Sequence, residues 1–230
     1  MEPLRDILPP EAFGEAVTQA VTDGSGRDRD ILREASRLLG EAGWSRSGAF
    51  LVNAADETLT AEFLAQDDAL VRVFSPWVEN MRAIGIDATI RPVDAAQYQA
   101  RQAGFDFDLV SLALSFAATP TRDGIEGVFH SRAAALSGSR NLPGTADAGV
   151  DARIDEVGRA ADRDALSAAM RALDRVLRAR RDWIPNWYSA THRVAHWDMF
   201  GFKEPKPDYG FPVEAIWWFD ATKAAAIGKA

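Results

Sequence analysis

The residues best suited to chemistry are three histidines, His130, His192 and His196, and a group of carboxylates. His192 and His196 stand four apart, with Asp198 two residues on and Ser189 three residues before, which would suit a metal pair or a Ser–His–Asp arrangement. Residues four apart meet on one face only in a helix. The run THRVAHWD alternates and contains Val and Trp, which reads as a strand, and polar positions without catalytic work are the simpler expectation. Asp106, Asp108, Asp123 and Glu126 could supply an acid–base pair of the glycosidase kind, a role set by a separation that sequence does not give. There is no G-x-S-x-G elbow, no P-loop and no G-x-G-x-x-G, and DGSG at 23–26 reads as a turn. With no cysteine, thiol nucleophiles, disulfides and zinc ribbons are excluded.

The elements that would position these groups follow from hydrophobic period. Ile31, Leu32, Ala35, Leu38, Leu39 and Ala42 form a helical stripe, with Ser25 or Asp28 to cap it and Gly43 to stop it. Ala49 to Asn53 reads as a short buried strand. Leu70 to Ile84 gives a second helix, which Pro76 should kink. Ile86 to Val93 is a strand, Ala95 to Ala103 a helix capped by Asp94, and Phe107 to Leu114 a nearly all-apolar strand. Apolar strands alternating with helices predict an α/β unit with right-handed crossovers about a largely parallel sheet. From Ser115 to Ala146 no period is evident, and a long irregular stretch at the carboxyl end of a strand is where such sheets hold ligands. Helices are expected again at 149–160 and about 163–181, the second with a mixed Asp/Arg outer face that reads as solvated surface.

The two ends differ from this middle. Residues 9–26 are rich in Pro, Gly and small polar types and read as an extended connector. Met1–Asp6 carries no basic and apolar leader pattern, so no signal peptide is expected in that stretch. From Trp183 onward aromatics crowd together, among them Trp187, Tyr188, Trp197, Tyr209, Phe211, Trp217 and Trp218, more apolar surface than short strands can cover alone. Across all 230 residues, 34 acids against 26 bases leave a net charge of −8, the wrong sign for a protein that binds by neutralising phosphates, so nucleic acid is not an expected partner. No stretch approaches the ~18 uninterrupted apolar residues of a membrane-spanning helix.

The order of these features resembles the carboxyl-terminal part of the oligopeptide/dipeptide-binding (family 5) extracellular solute-binding proteins of bacterial ABC importers. The matching runs are DRDILREASRLLGEAGW (28–44), FLVN (50–53), FSPWVENMRAIGIDATIRPVDAAQYQARQAGFDFDLV (74–110), GSRNLPGTADAGVDARIDEV (138–157) and IPNWYSATHRVAHWDMFGFKEPKP (184–207). The last of these, with AIWWFD (215–220), is similar to the branch that takes up microcin-C-like and other longer peptides.

The resemblance implies a two-lobed, type II periplasmic-binding-protein-like α/β receptor without catalysis or cofactor. Residues 1–24 would end a first pass through lobe one, 25–184 would form lobe two with its largely parallel sheet flanked by helices, and 185–230 would return to lobe one. Family members are much longer, so this chain is expected to be a truncated piece, periplasmic in its full-length form. Its partners would be an extended peptide or peptide-like ligand, the importer's permease subunits and the amino-terminal lobe. The alternatives are a small α/β hydrolase using His192 or His196 with a carboxylate, and a fragment without activity of its own. The family places an acid for the ligand's amino group in the loop after strand 107–114. Here that loop reads SFAATPTRDG, so Asp123 or Glu126 would substitute, and Arg122 is suited to a carboxylate or phosphate. The ligand-binding residues implied are Ser115, Phe116, Thr119, Arg122, Asp123 and Asn141 from lobe two, with Asn186, Trp187 and Tyr188 at the crossing.

Overall fold

The structure, a computed structural model, describes residues 4–204 and 211–229. Tyr209 and residues 205–207 of the last matching run lie outside the described residues. The chain divides into two compact units, one running to Phe116 and joined by Thr121–Trp183, the other made of Ala117–Pro120 and the chain from Ile184 onward.

In the first unit the helix starts are set by side-chain caps. Asp28 accepts from the backbone N–H groups of Asp30 and Ile31 to open α1 (Arg29–Glu41), and Asp94 accepts from Gln97 to open α3 (Ala95–Ala103). Between them, β1 (Ser45–Ser47) and β2 (Phe50–Val52) form an antiparallel hairpin. The parallel sheet consists of β3 (Thr60–Ala65), β4 (Asp87–Pro92) and β5 (Leu109–Val110), in the order β4-β3-β5. Phe63 at the centre is opposite Ile90 on one side and Leu109 on the other. The crossovers are α2 (Asp68–Ala83) and α3.

The α/β class expected from the sequence is present, with several local differences. The apolar run at 49–53 belongs to the hairpin, and the central strand of the sheet is Thr60–Ala65, which the apolar-run reading passes over because Glu62 interrupts it. Pro76 lies inside α2, as expected, and the strand expected at 107–114 is only two residues long. The stretch 115–146 contains α4 (Arg122–Phe129) and a 3-10 turn at Ser131–Ala133. Residues 9–26 are not extended throughout, since Pro10–Phe13 form a 3-10 turn.

That turn has a packing reason. Leu8 and Ala12 are buried in a core they share with Ile125, Val128, Val150, Ile154, Leu173 and Val176, from α4, α5 (Ala148–Arg159) and α6 (Arg163–Arg180). Arg175 of α6 donates its Nε–H to the carbonyl of Ala12 at 2.7 Å. Gly149 lets Leu8 in, because a Cβ there would fall 2.5 Å from a Leu8 methyl and 3.2 Å from the Ile7 carbonyl oxygen. Two further clusters pack the sheet: Leu51, Val78, Ile86 and Ala88, and Phe63, Ala65 and Phe74, with the Phe63 and Phe74 rings stacked 4.0 Å apart.

The second unit holds β6 (Phe200–Phe202), α7 (Val213–Ile216), β7 (Trp217–Phe219) and α8 (Ala221–Ala226). β6 and β7 pair antiparallel, with Gly201 opposite Trp218. Among the described residues, no helix is long and apolar enough to cross a membrane.

Candidate functional site

Because β4 and β5 flank β3 on opposite sides, the strand order reverses between β3 and β5, and ligands of open α/β sheets sit beyond the carboxyl ends of strands at such a point. The segment leaving β5 there is tied down from three directions. Tyr98, buried on α3, donates its hydroxyl to the Ser111 carbonyl at 2.9 Å. Arg140 donates from Nη2 to the Ala113 carbonyl at 2.8 Å. The Phe116 ring stacks on Phe129 with centroids 6.2 Å apart, and Phe129 in turn meets the edge of Trp183. Burial raises the Tyr98 pKa, and the Asp67 carboxylate at the end of β3 adds to the shift.

Ser115 and the half-exposed Phe116 thus stand on an anchored loop in the first unit, and Thr119 lies in the stretch Ala117–Pro120 that groups with the second. Thr121 caps α4 by accepting from Gly124, which places Arg122 and Asp123 in the first turn of a helix and not in an irregular loop. Arg122 is engaged by two acids, Asp155 at 3.0 Å and Glu126 at 3.6 Å, and Glu126 also pairs with Arg132 at 3.0 Å. Asn141 is fully buried. Its amide donates to the carbonyls of His130 and Thr145 at 3.1 and 2.9 Å and accepts from the Thr145 N–H at 2.9 Å, so it holds the loop between α4 and α5 together. Asn186, Trp187 and Tyr188 lie in the second unit on chain without regular structure, Trp187 and Tyr188 with side chains largely exposed.

The groups that suggested catalysis make the following contacts. Asp106 pairs with Arg101, and Asp108 accepts from the Glu62 backbone N–H at 2.8 Å. Ser189 donates its hydroxyl to the Thr191 carbonyl at 2.9 Å, and Asp198 pairs with Lys223 at 3.0 Å. The His192 ring stacks on Phe211, and His196 meets Trp217 edge to face with centroids 4.6 Å apart. His130 is buried, with Nδ1 3.2 Å from Asp151.

Sequence reasoning missed Tyr98 and Arg140, whose role is to hold the loop. Neither stands in a motif: Tyr98 meets the loop from α3 and Arg140 from the chain before α5, contacts that the sequence alone does not show. The α4 helix itself had a signal in Thr121 followed by Ile125, Val128 and Phe129 at helical spacing.

A parallel sheet whose order reverses beside an anchored loop is common to open α/β folds, and the solved structures that resemble this one are periplasmic binding proteins. The chain resembles the periplasmic oligopeptide-binding protein of Thermotoga maritima with a TM-score of 0.60 at 21% identity, covering 68% of this chain and 31% of that one. It also resembles the oligopeptide-binding protein AppA of Bacillus subtilis, solved with a nonapeptide, with a TM-score of 0.56 at 18% identity, covering 65% and 30%. The chain belongs to the bacterial extracellular solute-binding proteins, family 5, whose middle-region model matches residues 2–135. It is 39% identical over 219 residues to the probable peptide-binding protein YejA of Agrobacterium fabrum, which spans 95% of this chain and 36% of that protein. The chain therefore spans about a third of the length of that curated relative.

Proposed function

We propose that this chain is part of the substrate-binding component of a bacterial ABC importer, one that captures extended peptides or peptide-like solutes and delivers them to the membrane permease. The observation that carries this reading is the likeness, over 95% of the chain, to a protein named for probable peptide binding. The anchored loop at the strand-order reversal supports it, because an extended ligand held by main-chain hydrogen bonds needs a fixed backbone edge beside roomy side-chain pockets. The ligand-binding residues are Ser115, Phe116, Thr119, Asp123, Asn186, Trp187 and Tyr188, while Arg122 and Asn141 act through the helix and loop they hold.

On this reading residues 25–184 build the second lobe, Leu8 and Ala12 of the preceding segment pack into its core, and 185–230 belong with a first lobe supplied by the longer protein. The working compartment is the periplasm, and the chain carries out no catalysis. Binding does its work by favouring a closed form that the transporter recognises.

Native mass spectrometry of the protein from its own cells, captured with an antibody against residues 28–44, tests the reading. A peptide-mass adduct that diminishes in Trp187→Ala is the expected result. Failure of every peptide pool to bind would overturn it, as would cleavage of those peptides that disappears when His192 and His196 are replaced.

A further inference from the structure

α5 turns an apolar stripe inward, made of Val150, Ile154 and Val157, and within that stripe stands an arginine. Arg153 is only 4% exposed. Its Nη2 lies 2.5 Å from Glu156 one turn along the same helix, and its buried Nε–H has no acceptor. A buried donor left unsatisfied is destabilising, more so when the group is charged. One helical neighbour on one nitrogen leaves most of the guanidinium's five N–H groups without a carboxylate.

Beside this arginine, an open hollow of about 360 Å³ lies between α5 and α6, with Ala165 and Ala168 on its exposed side. One wall carries Arg153, Glu156 and Arg159, and the facing wall of α6 is built from Ala165, Ala168 and Ala172, with no side chain longer than a methyl to fill the space. The lining carries two guanidinium groups and one carboxylate, with Asp155 beside Arg159 at its rim. Arg159 itself is solvent-facing and only loosely engaged, 3.5 Å from Asp155. The volume is at the small end of ligand pockets, which run from about 300 to 1,000 Å³.

We propose that the α5–α6 pocket binds a small monocarboxylate on a short aliphatic stem. The carboxylate completes the coordination of Arg153 with help from Arg159, and the stem covers the alanine wall. An arginine fork matches a carboxylate with two parallel hydrogen bonds. A bare phosphate or sulfate would satisfy the charge and leave the apolar wall uncovered. The site is built entirely from α5 and α6 and is independent of the peptide-binding reading.

The test is a methyl NMR titration of the 230-residue chain carrying labelled alanine methyls, with butyrate, its neutral isostere butyramide, and sulfate. Butyrate is expected to shift the methyls of Ala165, Ala168 and Ala172 saturably. Loss of a charge-assisted hydrogen bond should make butyramide bind at least about tenfold more weakly, and sulfate should bind more weakly than butyrate. Arg159→Gln, an exposed change that leaves the fold intact, should weaken butyrate several-fold, and Arg153→Gln should abolish it. No saturable shift in the wild-type chain, or equal binding of butyrate and butyramide, would overturn the proposal whatever the variants do.

Discussion

The hydroxyl of Tyr98 donates to the carbonyl of Ser111 at 2.9 Å, so the crossover helix α3 grips the first residue after β5. Its phenol titrates above the ordinary value of 10.0, because burial and the Asp67 carboxylate both disfavour the phenolate. The proton is therefore held more tightly in the folded than in the unfolded chain. That contribution is fully present below pH 10 and is lost as pH rises through the raised value. Tyr98→Phe should cost about 1 kcal/mol at neutral pH and remove part of the stability loss on the alkaline side. Urea midpoints at neutral pH and above pH 10 measure both effects, and an unchanged alkaline slope would show that Tyr98 does not report there.

Asn141 offers a comparison of two replacements. Asn141→Ala leaves the carbonyls of His130 and Thr145 and the Thr145 N–H without their partner in a fully buried site, at a cost of about 3 kcal/mol. Asn141→Asp should be worse, since a carboxylate would face two carbonyl oxygens that need donors. Denaturation midpoints should rank wild type, Ala, Asp, with faster amide exchange across 130–145. The reverse order of the two variants would show that the amide hydrogens are not what holds the loop.

In the second unit, a Cβ on Gly201 would fall 2.5 Å from the Trp218 indole. Gly201→Ala should therefore displace that ring and cost about 1–3 kcal/mol of overpacking. Near-ultraviolet circular dichroism reads the displacement, and Trp218→Ala in the same chain should relieve it. A spectrum unchanged by Gly201→Ala would place the indole elsewhere.

Burial separates two aliphatic residues cleanly. Ile154→Ala empties a fully buried position between three helices and should cost about 2–5 kcal/mol. Leu136→Ala, at a position 62% exposed, should stay within about 0.5 kcal/mol of wild type. Chemical denaturation of the two variants side by side checks the contrast.

How much of this was legible in the residues depended on whether a signal was local. Asp28 and Asp94 cap α1 and α3 as their sequences announce, because a cap needs only the two or three residues after it. The central strand was hidden because Glu62 sits among its apolar residues, and what accommodates it is Arg91 on the neighbouring strand, 3.1 Å away. That partner is 29 residues on and cannot be seen from the strand itself. The site shows the same division. Phe116 was visible as an aromatic on the loop after a strand, whereas the burial of Asn141 and the twofold engagement of Arg122 depend on α4 and α5 coming together.

The docking of Leu8 and Ala12 against α6 has a consequence for synthesis. The hydrogen bond from Arg175 to Ala12 joins residues 163 positions apart, so Ala12 finds this partner only after almost all of the first unit has left the ribosome. At about 5–20 residues per second that delay is on the order of ten seconds or more. Until α4 and α5 have emerged, the apolar side chain of Leu8 lacks the core neighbours it has in the folded unit.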